Sequence, residues 1–267
     1  MNDSPAIQVS HLTKRFDGLT AVNDIAFHVQ TGELFGFLGP NGAGKTTTIN
    51  ILCTLLSATS GEASVAGFDC QRQPMQVREK IGIIFQDPSL DERLTAWENL
   101  EFHGMIYHMP KPLRHQRIEE VLRLVELWDR RDGITRTFSG GMKRRLEVAR
   151  GLLHHPTVLF LDEPTIGLDP QTRYRIWEVM GTLRSEHCVT LFLTTHSMEE
   201  AERCDRVAIM DHGRLMALGA PSDLIRQHGT KNLEEVFLSI TGHGLRDNGA
   251  SEGEIGRSRI RKMRSWA

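Results

Sequence analysis

Cysteine is scarce, long apolar runs are missing and neither sign of charge dominates; each shortage excludes a class of protein. The four cysteines, Cys53, Cys70, Cys188 and Cys204, stand far apart with no C-x-x-C pair. That leaves neither a disulfide framework nor a zinc site, and it suits a reduced, cytosolic chain. No apolar stretch approaches the roughly 18–20 residues needed to span a bilayer, and Met-Asn-Asp-Ser-Pro does not read as a signal peptide. The polypeptide is therefore expected to be soluble by itself. Lys and Arg number 32 against 34 Asp and Glu, for a net charge of −2, so no global basic field points to nucleic acid. The 12 histidines lack metal-ligand partners at useful spacing, and surface or helix-end roles are expected for most. No internal repeat is evident. With 267 residues, 39% hydrophobic and 25% charged, the chain is long enough for one full core in one or two domains.

What is present is concentrated in a few motifs. Gly39-Pro40-Asn41-Gly42-Ala43-Gly44-Lys45-Thr46-Thr47 fits the phosphate-loop pattern G-x-x-x-x-G-K-[ST] at every position. It follows the apolar run Leu34–Leu38 and opens a helix-like stretch, Thr46 to Leu56, which is the strand–loop–helix context the pattern requires. Glycines let backbone N–H groups close on a polyphosphate, and the helix N-terminus adds a favourable dipole. Lys45 would reach the β- and γ-phosphates, while the Thr46 hydroxyl would hold Mg²⁺. A plain glycine turn has no need of Lys-Thr at that offset. The chain is expected to bind a nucleoside triphosphate.

Strand-like alternation occupies residues 6–10 and 21–30, with a turn at Asp17-Gly18 between them. Further strands are expected at Glu62–Ala66, at 81–85 ending in Gln86, at 157–161 and at Val189–Thr194. From Leu94 to Leu153 apolar residues recur at helical spacing, as in Ile118, Val121, Leu122 and Val125, and this reads as a helical insertion into an α/β body. Gln171–Leu183 is the helix between two buried strands, Val207–Met210 and Arg214–Leu218 flank a hairpin, and Asn232–Ile240 forms a short closing helix. Residues 1–240 are read as one domain, with roughly 90–155 inserted and 241–267 a flexible basic tail. Arg257, Arg259, Arg261, Lys262 and Arg264 in that tail suit a solvated segment or contact with acidic lipid head groups.

Val158–Leu161 is an apolar strand delivering Asp162 and Glu163 to its carboxyl end, where α/β sheets bind ligands. Asp162 suits Mg²⁺ support, directly or through water, and Glu163 suits orienting or deprotonating an attacking water. Gln86 ends another strand and offers an amide oxygen to the metal. His196 follows the strand 191–195, placed to donate to a γ-phosphate oxygen. In 138–145, Phe-Ser-Gly-Gly-Met-Lys-Arg-Arg, Ser139 is a good N-cap for a helix from Met142 to Leu153. Lys143, Arg144 and Arg145 then fall in the first turns, where the macrodipole disfavours cations, which suggests either an anion brought from another subunit or long side chains that splay into water.

Together these residues resemble the ATP-binding cassette (ABC) family in its nucleotide-binding subunits, over residues 6 to about 240 and in the family's motif order. The resemblance implies an α/β P-loop NTPase core with a mixed sheet, N-terminal antiparallel strands and an inserted helical subdomain. By position, Phe16 is similar to the aromatic that stacks on adenine, and Val22 to the apolar residue beneath the nucleotide. Gly39 to Thr47 resemble Walker A, Gln86 the glutamine loop, Ser139-Gly140-Gly141 the signature, Asp162 and Glu163 the Walker B acid and catalytic glutamate, Leu168-Asp169 the Asp loop, and His196 the switch histidine. Phe138 and Met142 replace the Leu and Gln of the commonest signature. Ser-Gly-Gly-Met with basic residues, and 232–238, resemble daunorubicin-resistance and related ABC-2-type exporters. That implies ATP and Mg²⁺, a second ABC subunit, a separate multi-span permease, no nucleic acid, and a place on the cytoplasmic face of the membrane. A nutrient-importer ATPase and a soluble cassette remodelling nucleic acid or ribosomes are the rival readings; a stand-alone NTPase or kinase is opposed by the signature.

Overall fold

The computed structural model describes residues 4–86 and 89–242. Alternating burial near the start gives two antiparallel strands, β1 (Ile7–Phe16) and β2 (Leu19–Val29), turning at Asp17-Gly18, where Gly18 takes φ 82°. β1 runs six residues further than its alternation suggested, because a register shift between Val9 and Leu12 absorbs His11 at φ 51° and pairing then resumes. This bulge carries the strand through to Phe16.

Next come β3 (Leu34–Leu38), α1 (Lys45–Leu52), β4 (Ser60–Val65), β5 (Phe68–Asp69), α2 (Pro74–Lys80) and β6 (Ile81–Ile84). Helix α1 is shorter than the expected stretch to Leu56. Thr54 adopts φ 62°, which ends the right-handed run. The inserted helices are α3 (Ala96–Ile106), α4 (Lys111–Leu124) and α5 (Gly140–Leu152), with 3₁₀ turns at Trp128–Arg130 and Thr135–Thr137. A capping box between Thr95 and Glu98 starts α3, and Ser139 caps α5 by accepting from Met142 N.

The chain then returns to strands: β7 (Val158–Asp162), α6 (Pro170–His187), β8 (Thr190–Thr195), α7 (Met198–Glu202), β9 (Arg206–Asp211), β10 (Arg214–Gly219), α8 (Pro221–His228) and α9 (Leu233–Thr241). Four short elements, β5, α2, α7 and α8, have too few residues for a period to show in sequence. The basic tail lies outside the described residues from position 243 onward.

Two sheets result. The first has the order β2-β1-β4-β5 and is antiparallel; the second has the order β10-β9-β3-β8-β7-β6. In the second sheet β6, β7, β8, β3 and β9 run parallel, and β10 returns antiparallel. Continuous apolar strands work here because both faces are covered. In β3, Leu34 and Leu38 enter one core while Phe35 and Phe37 enter the other. Leu159 and Leu161 oppose Val158 and Phe160 in the same way, and Leu191 and Leu193 oppose Phe192.

One core holds the phenylalanines between the sheets, with the Phe192 ring 5.4 Å from each of Phe35, Phe37 and Phe160. Each such ring contributes roughly 1.5–3 kcal/mol on burial. The other core lies under α3 to α6, with Leu100, Ile118, Leu122, Leu146 and Leu152 inside it. Among the described residues no helix is long and apolar enough to cross a membrane.

The strand order places the chemistry. Neighbouring strands β3, β8, β7 and β6 end, in that order, at the phosphate loop, His196, Asp162-Glu163 and Gln86. With parallel strands roughly 4.8 Å apart, four motifs distant in sequence share one edge.

Candidate functional site

A groove of about 400 Å³ lies along that edge. It is lined by Phe16, Leu19, Thr20, Ala21, Asn41, Gly42, Gly44, Lys45, Thr46, Thr47, Gln86, Asp162, Glu163, His212 and Gly213. The phosphate loop forms its floor. Gly44 precedes α1 at φ 103° and offers no side-chain cap, so the first N–H groups of the helix are left for a ligand. A Cβ on Gly44 would meet Ala21 O at 2.4 Å, and one on Gly39 would meet Met210 O at 2.3 Å. Both glycines are needed for the loop to lie this close to β2 and β9. Gly39, Pro40 and Ala43 are buried and shape the loop from behind, not at its open face.

Lys45 is buried, and its Nζ donates to Gly39 O at 2.6 Å and Pro40 O at 2.9 Å. Burial lowers its pKa, and the nearby Glu163 and Asp162 charges oppose that shift. The ammonium is parked on two carbonyls, from which a polyphosphate can draw it.

At the end of β7 the acids are organised by β8. Asp162 pairs in register with Thr194, whose hydroxyl donates to Asp162 Oδ1. Glu163 N donates to Thr194 O at 3.2 Å and Thr194 Oγ1 at 3.1 Å. Glu163 itself adopts φ 46°, an uncommon conformation for a residue with a Cβ. His196 Nδ1 lies 3.1 Å from Glu163 Oε1. That contact lowers the Glu163 pKa and raises that of His196, so the carboxylate and imidazolium support each other. His196 lies behind Glu163, facing a second cavity of about 200 Å³ with Thr165, Arg173 and Glu200.

Phe16 is 44% exposed at the groove mouth, with Lys14 Nζ 4.9 Å from its ring centroid. Val22 does not join it. Its side chain is fully buried in the inter-sheet core, and Ala21 lines the groove in its place. A register shift is the reason: Val22 pairs with Lys14 and Thr20 with Arg15, so Ala21 is an extra residue in β2 and joins Leu19 and Thr20 at the groove. Sequence reasoning also missed Leu19, Thr20, His212 and Gly213. The Asp211-His212-Gly213 turn reads as a hairpin and nothing more. In the structure it is stitched to the site, with Gly213 N donating to Ala43 O at 2.9 Å and Asn23 N to Gly213 O at 2.8 Å.

Ser139, Gly140, Gly141 and Asp169 lie outside this groove. Ser139 and Gly140 are exposed at the start of α5, and Asp169 caps α6 by accepting from Thr172 N at 3.0 Å and Thr172 Oγ1 at 2.7 Å. The two helix starts touch: a Cβ on Gly141 would meet Thr172 Oγ1 at 2.5 Å. Gly140 differs, because a Cβ there would meet nothing within 4 Å. Its glycine answers no need within its own chain.

The basic run after the signature is corrected by the structure. Lys143 pairs with Glu92, Arg145 donates to Val125 O at 2.8 Å, and Arg144 is buried against loop carbonyls. Long side chains fold back along the helix onto available acceptors, so none of the three presents its charge to an incoming anion.

The ABC transporter family pattern matches residues 22–166. A linearmycin resistance ATP-binding protein of Bacillus subtilis is 40% identical over 234 residues, covering 87% of this chain and 75% of that protein. A daunorubicin/doxorubicin resistance ATP-binding protein of Streptomyces peucetius is 41% identical over 236 residues, covering 87% of this chain and 71% of that one. An ATP-binding cassette solved as a dimer in a post-hydrolysis state with ADP and Pi superposes with a TM-score of 0.72 at 27% identity, covering 80% of this chain and 98% of that chain.

Proposed function

This chain belongs to the ABC transporter family, and we propose that it is the ATP-hydrolysing subunit of an ABC-2-type exporter whose membrane-spanning permease is a separate chain. Residues 1–240 form its ATPase domain, with roughly 90–155 as the inserted helical part. Two copies pair head to tail, each groove receiving the Ser139-Gly140-Gly141 end and Asp169 of the other copy. One observation carries the pairing: Gly140 is exposed, unobstructed and outside the groove of its own chain. Ser139 takes the Met142 N–H, and the remaining N–H groups of this exposed helix start, at Gly140 and Gly141, suit an anion brought from elsewhere.

In the closed pair ATP lies on the phosphate loop, with adenine against Phe16. Lys45 leaves Gly39 O and Pro40 O for the β- and γ-phosphates. Glu163 holds the attacking water and draws its proton, and His196 keeps the Glu163 carboxylate ionised and aimed. The partner's helix dipole adds positive potential where charge builds in phosphoryl transfer. Thr46, Gln86 and Asp162 line one groove with hydroxyl, amide and carboxylate oxygens, a hard donor set that fits Mg²⁺. Among the described residues no cluster of three or more His, Cys, Asp or Glu could hold a metal alone. When bound, the ion neutralises phosphate charge.

The permease contact falls on the inserted helices. Phe102, Met105 and Ile106 on α3 are 60%, 55% and 56% exposed, an apolar patch one loop beyond Gln86. The apolar, uncharged character of this patch supports a protein partner at the cytoplasmic face of the membrane over nucleic acid. The resistance proteins it resembles favour export over uptake. Co-purification of the chain with a multi-span protein from detergent extracts tests this; a chain that never associates with one argues against the assignment.

Two outcomes follow for the groove. Lys45→Ala should lower kcat/KM for ATP by about 10- to 100-fold, the effect of losing charge-assisted hydrogen bonds to phosphate. Steady-state ATPase kinetics check this. His196→Ala should also shift the acid limb of the pH–rate profile. With His196 present the Glu163 pKa is lowered, so the base survives into more acidic solution; without it the limb moves up toward the ordinary carboxylate range. A limb that stays in place would separate His196 from the base.

A further inference from the structure

The first turns of α5 carry a buried ion pair with an unusual set of partners. Arg144 uses all five of its N–H donors. Nε donates to Pro164 O at 2.8 Å, Nη2 to Asp162 O at 3.2 Å and Glu163 O at 3.3 Å, and Nη1 to Phe85 O and to Glu147 Oε2 at 3.1 Å. Glu147 is fully buried, and its other oxygen accepts from Ser89 N at 2.7 Å. Phe85 and Ser89 flank Gln86, while Asp162, Glu163 and Pro164 are the acid loop. One guanidinium and its carboxylate therefore tie the helix that carries the signature to both.

We propose that Arg144 and Glu147 are positioning residues that keep the glutamine loop and the Glu163 backbone in one fixed relation to helix α5. Resting on the assignment of Glu163 as the base, the pair explains how a carboxylate in a left-handed backbone conformation holds its aim. Three consecutive carbonyls, 162 to 164, are pinned by a planar fork, so the peptide units on both sides of Glu163 cannot rotate independently. Any displacement of α5, whether from a second copy at Ser139 or from a permease at α3, is passed to that backbone through a side chain without slack. Lysine cannot substitute: its three donors radiate from one nitrogen and cannot reach five separate acceptors.

Arg144→Lys in the full chain should lower kcat by about 10²-fold, the scale of a misplaced catalytic group, with KM for ATP close to wild type and a lowered melting temperature, since buried carbonyls lose their donor. Glu147→Gln keeps an acceptor for Ser89 N and the side-chain shape but removes the ion pair; it should lower kcat by about tenfold with the same unchanged KM. This second variant decides the matter if Arg144→Lys does not fold. In a Glu163→Gln background, where no base remains, Arg144→Lys should cause no further loss of residual turnover. Wild-type kcat in the folded variants, or losses of turnover that merely follow losses of ATP binding, would overturn the proposal. The base assignment fails separately: it falls if Glu163→Gln is fast, whereas the clamp falls if Glu163→Gln is slow and Arg144→Lys and Glu147→Gln are not.

Discussion

Glu163→Gln should reduce ATP turnover by about 10²- to 10⁴-fold, the range expected when a general base is removed, while ATP still binds. The amide is nearly the same size, so the hydrogen bonds from Glu163 N to Thr194 O and Oγ1 are retained and the backbone keeps its place. What is lost is the acceptor charge. Two further consequences come from the geometry. His196 loses the carboxylate that raises its pKa, so it should titrate at lower pH in the variant. The burden of negative charge facing the triphosphate also falls by one, which favours the ATP-bound state. An ATP-loaded pair that forms readily and hydrolyses slowly is the expected product, measurable by trapped nucleotide per chain. Rapid hydrolysis by the variant would remove Glu163 from the mechanism.

Gly140→Glu should abolish turnover, by at least about 10²-fold, without harming the isolated chain. In one copy the substitution looks benign. The position is exposed, a Cβ meets nothing within 4 Å, and an acidic side chain in the first turn complements the helix dipole. Melting temperature should hold or rise slightly, and nucleotide binding to the groove, which Gly140 does not line, should be unchanged. In a head-to-tail pair the same carboxylate would confront the triphosphate on the opposite copy. Stability kept and activity lost is the combination an intermolecular site predicts. Loss of ATP binding by the single chain would instead place Gly140 in its own groove.

Much of this was legible in the residues, and the failures have a pattern. The phosphate loop, the acid-ended strand and the long helical insertion were readable because each depends on local spacing. The continuous apolar strands also announced themselves, since only a sheet covered on both faces tolerates Leu34–Leu38. Facing and pairing were not legible. Val22 and Ala21 differ by one step on a strand, and which of them meets a ligand is decided by a register that β1 sets from across the sheet. The cations of 143–145 were expected at a helix end facing an anion, yet their partners come from 85, 92, 125 and 162–164. Those acceptors are backbone carbonyls for the most part, and carbonyls leave no mark on sequence. The Gly213 turn was invisible as part of the site for the same reason.

The most direct test is sedimentation of the Glu163→Gln chain with ATP and Mg²⁺. Alone, the 30.2 kDa chain should run as a single copy; with ATP it should run at about 60 kDa, twice that mass, and Gly140→Glu added to it should return it to one copy although ATP still binds. A Glu163→Gln chain that stays single with ATP bound, while the wild-type chain hydrolyses at full speed as a single copy at the same dilution, would contradict a nucleotide site shared between two copies.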